Sequence, residues 1–239
     1  ENVSLSDGQN TVAEAFSANG ALIRAQPGFV PRAGQTEMAL AVARVVAEGG
    51  SLVVEAGTGV GKTFAYLVPA LLSGERVLLS TATKALQDQL FGRDLPRVLQ
   101  ALSLPRRTAL LKGRSSYLCL HRLALARQLE SDDALAEHLG EIELWAQATQ
   151  SGDLAELPHL DERSGIAALV TSTRENCLGA GCAHARNCYV YRARREALGA
   201  DVVVVNHHLL FADMAVRESG VAELLPTVHT VVVDEAHQL

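Results

Sequence analysis

Two short runs carry residue types in an order that suits phosphate chemistry. Ala56-Gly57-Thr58-Gly59-Val60-Gly61-Lys62-Thr63 is a glycine-rich loop closed by Lys-Thr. Glycines let such a loop turn its backbone N–H groups inward on phosphate oxygens. Lys62 then reaches the β- and γ-phosphates, and the Thr63 hydroxyl can ligate Mg²⁺. Ala56 stands where the strict pattern has glycine, a small departure. Far downstream, Val231-Val232-Val233 runs into Asp234-Glu235-Ala236-His237. A strand delivering a carboxylate at its C-terminal edge is how P-loop enzymes hold the metal's water shell. Asp234 is therefore the expected Mg²⁺ partner, and Glu235 the group that polarises an attacking water. Lys62, Asp234 and Glu235 form the expected catalytic set.

A second chemistry lies between these runs. The chain has 4 cysteines, Cys119, Cys177, Cys182 and Cys188, spaced C-x57-C-x4-C-x5-C. Thiols in a reducing compartment stay reduced, which argues against two structural disulfides. Zinc sites favour ligand pairs two to four residues apart, whereas this set has one distant cysteine and three spread over a loop. Four thiolates on one iron–sulfur cluster tolerate such spacing. Spacing alone leaves a cluster, a zinc site and unrelated thiols all open, with the cluster in front.

These groups need a frame to bring them together. Ser51–Glu55 reads as a short apolar strand leading into the loop, and Thr63–Leu72 as a helix that Pro69 should kink. Arg76–Ser80 is a second strand, and Thr83 caps a helix running to about Phe91. Thr108–Leu111 is a weaker strand. The Val-rich runs Asp201–Val205 and Thr230–Val233 suit strands buried on both faces. Strands alternating with helices predict an α/β domain with a mostly parallel sheet. From Cys119 to about Leu198 that rhythm breaks. Leu135, Leu139, Ile142 and Trp145 mark one face of an amphipathic helix, Thr149–Gly165 is loop-like, and the whole stretch reads as a mainly helical insertion.

Composition narrows the class. The 239 residues are 48% hydrophobic and 20% charged, an ordinary globular balance. Collagen, a coiled coil, wholesale disorder and a secreted disulfide knot are excluded. No apolar run reaches the ~18 residues of a membrane span, and the polar start lacks the features of a signal peptide. The expectation is a cytoplasmic protein without a membrane partner. Because the chain opens on Glu1, its true start is expected upstream.

The net charge of −6 conceals blocks of opposite sign. Residues 76–127 hold ten Lys/Arg against two Asp, residues 128–165 ten acids against one Arg, and residues 174–195 five Arg against one Glu. A polyanion responds to such local fields rather than to the sum. Equally, these can be solvated helix faces. Tyr117, Tyr189 and Tyr191 lie close to cysteines and amid Arg114, Arg192, Arg194 and Arg195. They read either as stacking platforms for single-stranded DNA or as packing around a cofactor.

Taken together, the loop, the Asp-Glu-Ala-His run and the intervening Ser80-Thr81-Ala82-Thr83-Lys84-Ala85-Leu86-Gln87-Asp88-Gln89-Leu90 resemble motifs I, II and Ia of superfamily 2 helicases. Phe29-Val30-Pro31-Arg32-Ala33-Gly34-Gln35 is similar to that superfamily's adenine-side element. Lys112-Gly113-Arg114-Ser115-Ser116-Tyr117-Leu118-Cys119, Asn176-Cys177-Leu178-Gly179 and Ala200 to Leu210 resemble the DinG/XPD-like iron–sulfur helicases, nearest their YoaA-like bacterial branch.

The resemblance covers nearly everything from Phe16 to Leu239. It implies a RecA-like P-loop domain over 21–112 and 199–239, preceded by an extension over 1–20. An iron–sulfur insertion over 113–198 would interrupt that domain. It also implies ATP held by Ala56 to Thr63 with Gln35 on the adenine edge and Arg32 supporting it, Mg²⁺ on Thr63 and Asp234, and a [4Fe–4S] cluster on the four cysteines. The activity implied is ATP-driven 5′→3′ travel on single-stranded or forked DNA with duplex unwinding, in repair or replication. A second motor domain, with an arginine finger, would follow Leu239, and residues 1–239 alone would then be inactive. Two other classes are weighed beside this one. A P-loop ATPase that carries or delivers a cluster has no need of Asp-Glu-Ala-His, and a noncatalytic module would hold nucleotide or DNA without turnover.

Overall fold

The computed structural model describes residues 5–57, 59–129, 133–157, 159–160, 165–218 and 225–238. The chain divides into two compact units, Glu1–Leu110 with Gly199–Leu239, and Leu111–Leu198.

The first unit opens with α1 (Asp7–Ala15), α2 (Ala21–Ala25) and α3 (Ala33–Glu48). Ser6 and Gln9 close a reciprocal capping box at the start of α1. Then come α4 (Lys62–Leu72), β1 (Val77–Thr81), α5 (Lys84–Gln89), α6 (Leu95–Leu102) and β2 (Thr108–Leu110). Thr83 caps α5 as the sequence predicts, its hydroxyl accepting from Leu86 N–H at 3.2 Å. One π-helical stretch, Leu90–Asp94, carries the chain from α5 into α6.

The sheet is all parallel, in the order β2-β3-β1-β4, with β3 at Val202–Asn206 and β4 at Thr230–Val233. Every residue of β1 and β3 is buried, which is why these runs are almost uninterrupted Val and Leu. Val77, Leu79, Val202 and Val204 pack into one core with α1, α3, α4 and α6. Leu78, Val203 and Val205, pointing the other way, are buried as well. The α/β architecture with a parallel sheet is thus the one expected.

Two expectations need correction. Ser51–Glu55 is not a strand: among the described residues it pairs with no neighbour, and Val53 is 95% exposed. Two glycines at positive φ, Gly49 and Gly50, bring the chain into it. β-Branched composition supplies a strand-forming tendency, but without a backbone partner it supplies no strand. Thr230–Val233 forms the expected strand but is not buried on both faces: it lies at the end of the strand order and Val231 is 50% exposed; α4 runs unbroken through Pro69.

The second unit is mainly helical: α7 (Leu120–Leu129), α8 (Asp133–Ala146), α9 (Gly165–Val170) and α10 (Tyr189–Gly199), joined by 3₁₀ turns. Within α8, Leu139 and Ile142 of the predicted apolar face are buried. Tyr117 bridges to Asp153 in an isolated antiparallel contact. Lys112, with its side chain 1% exposed, pairs with Asp153 at 2.6 Å. Gly152 sits at φ +66°, and a Cβ there would fall 2.2 Å from the Tyr189 ring. After α10 the chain rejoins the sheet through β3 and α11 (His207–Glu218).

Candidate nucleotide site and cysteine pocket

Helix α4 begins where the glycine-rich loop ends. Gly61, at φ +84°, adopts the left-handed conformation that starts the helix, and no side chain caps the first N–H groups. Those donors and the helix dipole are therefore free for an anion. Gly59 is also left-handed, at φ +81°. Arg32 donates to the Gly59 carbonyl, and Gln35, only 3% exposed, donates to the Gly61 carbonyl at 3.1 Å. A Cβ on Gly61 would lie 2.2 Å from that Gln35 nitrogen, so any other residue there would be strained and would displace the Gln35 amide. Both residues expected on the adenine side thus donate to carbonyls of the loop. Phe29 stacks on Phe64 of α4 at 5.7 Å between centroids. Ala56, Gly57 and Val60 lie along the loop, and Thr58 is outside the described residues.

The sheet brings the downstream acids to this loop. β4 lies beside β1, and Asp234 N–H donates to the Ser80 carbonyl at 2.9 Å just past the last strand pair. Lys62 Nζ meets Glu235 Oε1 at 2.8 Å, across 173 residues of sequence. Glu235 itself has φ +55°, a strained left-handed backbone in a non-glycine residue. Its N–H donates to Asp234 Oδ1 at 2.9 Å. The other oxygen, Asp234 Oδ2, accepts from the Tyr66 hydroxyl at 3.1 Å.

The Lys62 hydrogen bond holds the Glu235 carboxyl below its ordinary value, and the same bond raises the Lys62 ammonium. The pair is lost only when acid enters the lowered Glu235 range or alkali exceeds the raised Lys62 range, so it is intact at neutral pH. Burial, reinforced by Asp234, pushes the Tyr66 phenol well above its usual value and keeps it a donor. Sequence reasoning missed Tyr66, which reads as one more apolar residue of a buried helix. The available signal was its spacing, three residues after Thr63 and four after Lys62.

All four cysteines, in the second unit, are unpaired, half-buried and on the wall of one cavity. His121, His184 and Tyr191 line it too. Arg114 donates to the Cys177 sulfur at 3.0 Å, and Gly179 N–H at 3.4 Å. Arg194 stands beside Arg114, Cys177 and Cys188. Its guanidinium is drawn below the ordinary value chiefly by burial and next by the Arg114 charge. Hydrogen bonds to sulfur are one way proteins tune clusters. The donor set therefore fits a sulfur-ligated group in kind. Among the described residues, no three His, Cys, Asp or Glu side chains converge tightly enough to hold a metal ion. Of the two readings of the tyrosines, packing holds for two of them. Tyr117 and Tyr189 are 3% and 5% exposed and pack inside the unit.

A glycine-rich loop opening a helix, a parallel sheet and an Asp-Glu pair at its edge define a P-loop nucleotide-binding unit. Residues 35–123 match the family of DEAD/DEAH box helicases. Over 98% of its length it is 51% identical to the ATP-dependent DNA helicase YoaA of Haemophilus influenzae, covering 37% of that protein. The Escherichia coli YoaA is 50% identical over 94% of the chain and is 36% covered. The ATP-dependent helicase DinG of Mycobacterium tuberculosis is 45% identical over 89% of the chain and 35% covered. The chain thus spans little more than a third of these relatives' length. No helix among the described residues is long and apolar enough to cross a membrane.

Proposed function

We propose that the full-length protein is an ATP-dependent DNA helicase of the DinG/YoaA kind, with this chain as its first RecA-like motor domain interrupted by a cluster-holding insertion. The observation that carries this reading is the meeting of Lys62 with Glu235 at 2.8 Å beside Asp234. It joins a phosphate loop to the acids that act on metal and water. The relatives' printed activity points the same way.

In this reading the backbone N–H groups of 56–63, an uncapped α4 N-terminus and Lys62 receive the phosphates, with Arg32 and Gln35 holding the loop's shape. Thr63 and Asp234 would hold Mg²⁺, which neutralises charge on the phosphates when bound. Glu235, released from Lys62 when a phosphate takes the ammonium, orients the attacking water. Cys119, Cys177, Cys182 and Cys188 would hold a [4Fe–4S] cluster that braces the insertion. Four free thiols suit a reducing, cytoplasmic compartment.

Single-stranded or forked DNA is the proposed partner, with 5′→3′ travel in repair or replication carried over from the resemblance. The test is ATP hydrolysis by the full-length protein with and without single-stranded DNA. Strong stimulation by DNA supports the reading. Hydrolysis indifferent to DNA, in protein that retains iron, would favour the cluster-carrying ATPase instead.

A further inference from the structure

We propose that Tyr66 is a positioning residue of the nucleotide site, fixing the orientation in which Asp234 meets Mg²⁺. This rests on the reading of Asp234 as the metal carboxylate.

Tyr66 is 4% exposed and lies one turn beyond Lys62 on α4. A phenol buried to this degree needs a partner for its hydroxyl, since an unpaired one is costly. Here the partner is Asp234 Oδ2 at 3.1 Å. The opposite oxygen takes the Glu235 N–H at 2.9 Å. A carboxylate has about four lone-pair sites, so one donor on each oxygen stops rotation about the carboxyl bond and leaves each oxygen a lone pair. Without the hydroxyl, a single backbone N–H holds the group and the second oxygen is free to swing.

Helix α4 thereby grips both acids of the Asp-Glu pair. Lys62 takes Glu235, and four residues later Tyr66 takes Asp234. The two bonds differ in what a nucleotide does to them. Phosphate competes for the ammonium of Lys62, whereas nothing in the proposed chemistry asks for the phenol. The Tyr66 bond is suited to persist through the cycle and to register helix, loop and metal carboxylate against one another. Core packing explains the ring but not the hydroxyl, because phenylalanine fills nearly the same volume.

The experiment compares full-length wild type, Tyr66→Phe and Asp234→Asn by titrating Mg²⁺ against a fluorescent, non-hydrolysable ATP analogue. Affinity for the analogue in excess chelator is measured on the same preparations. For Tyr66→Phe the Mg²⁺ needed for half-maximal tightening should rise roughly tenfold or more, the effect of losing one hydrogen bond to a charged group, while metal-free affinity stays at the wild-type value. Asp234→Asn should remove most of the Mg²⁺ effect. A Tyr66→Phe protein that melts at lower temperature but keeps the wild-type Mg²⁺ midpoint shows a merely structural hydroxyl and overturns the proposal. If Asp234→Asn also leaves the midpoint unchanged, the metal-carboxylate reading itself fails.

Discussion

The two chemical centres are held in different ways. At the nucleotide site, groups distant in sequence are already within 3.1 Å of one another, because the order β3-β1-β4 fixes where strand ends fall. At the cysteine pocket, four thiols share one cavity wall, yet no three of them converge among the described residues. A phosphate site is made largely of backbone and sheet register and can be complete before its ligand arrives. A thiol site is completed by the metal that its sulfurs bind.

That contrast can be broken in four places. The largest effect belongs to Lys62→Ala, which should cut ATP turnover at least on the order of a hundredfold to a thousandfold, as loss of a key charge-stabilising donor does. Iron content should be unaffected, and hydrolysis near the wild-type rate would remove the loop assignment.

Next is Cys182→Ser in anaerobically purified protein. It should lose most of its iron and its broad absorbance near ~400 nm while the isolated nucleotide affinity holds. A colourless wild type with stoichiometric zinc would transfer the pocket to a different metal.

Gly152→Ala probes how tightly the second unit is packed, since it adds both a left-handed alanine and a clash with Tyr189. A loss of about 1–3 kcal/mol in urea unfolding is expected, and an unchanged midpoint would show that the loop yields freely.

The smallest effect is Arg195→Glu. Arg195 is exposed, unlike Arg114, which is spent on Cys177. DNA affinity should fall steeply with salt, and this variant should flatten the logarithmic slope by about one unit. Salt-insensitive binding would contradict a phosphate-tracking surface.

What could be read in the sequence was what is decided locally. The glycine-rich loop, the Thr83 cap, the Val-rich β3 and β4 and the apolar face of α8 each carry their signal within a few residues. The failures depend on partners. Leu52, Val53 and Val54 have strand composition but no neighbouring strand. For Tyr117 and Tyr189 the sequence leaves stacking on DNA and packing both open, and burial in the interior of their own unit decides for packing. Tyr66 looked like core until β4 placed a carboxylate on it. Gln35, recognisable from its motif, is buried with its amide donating to the Gly61 carbonyl.

The ion pair between Lys62 and Glu235 has a thermodynamic consequence. One ammonium cannot serve a phosphate and a carboxylate at once, so nucleotide binding and the release of Glu235 form a single coupled equilibrium. Such coupling is reciprocal. Whatever draws Glu235 away from Lys62 raises the affinity for nucleotide by the same factor by which nucleotide frees Glu235. On the proposed reading of Glu235, Lys62 would hold that carboxylate out of use until a nucleotide phosphate takes the ammonium.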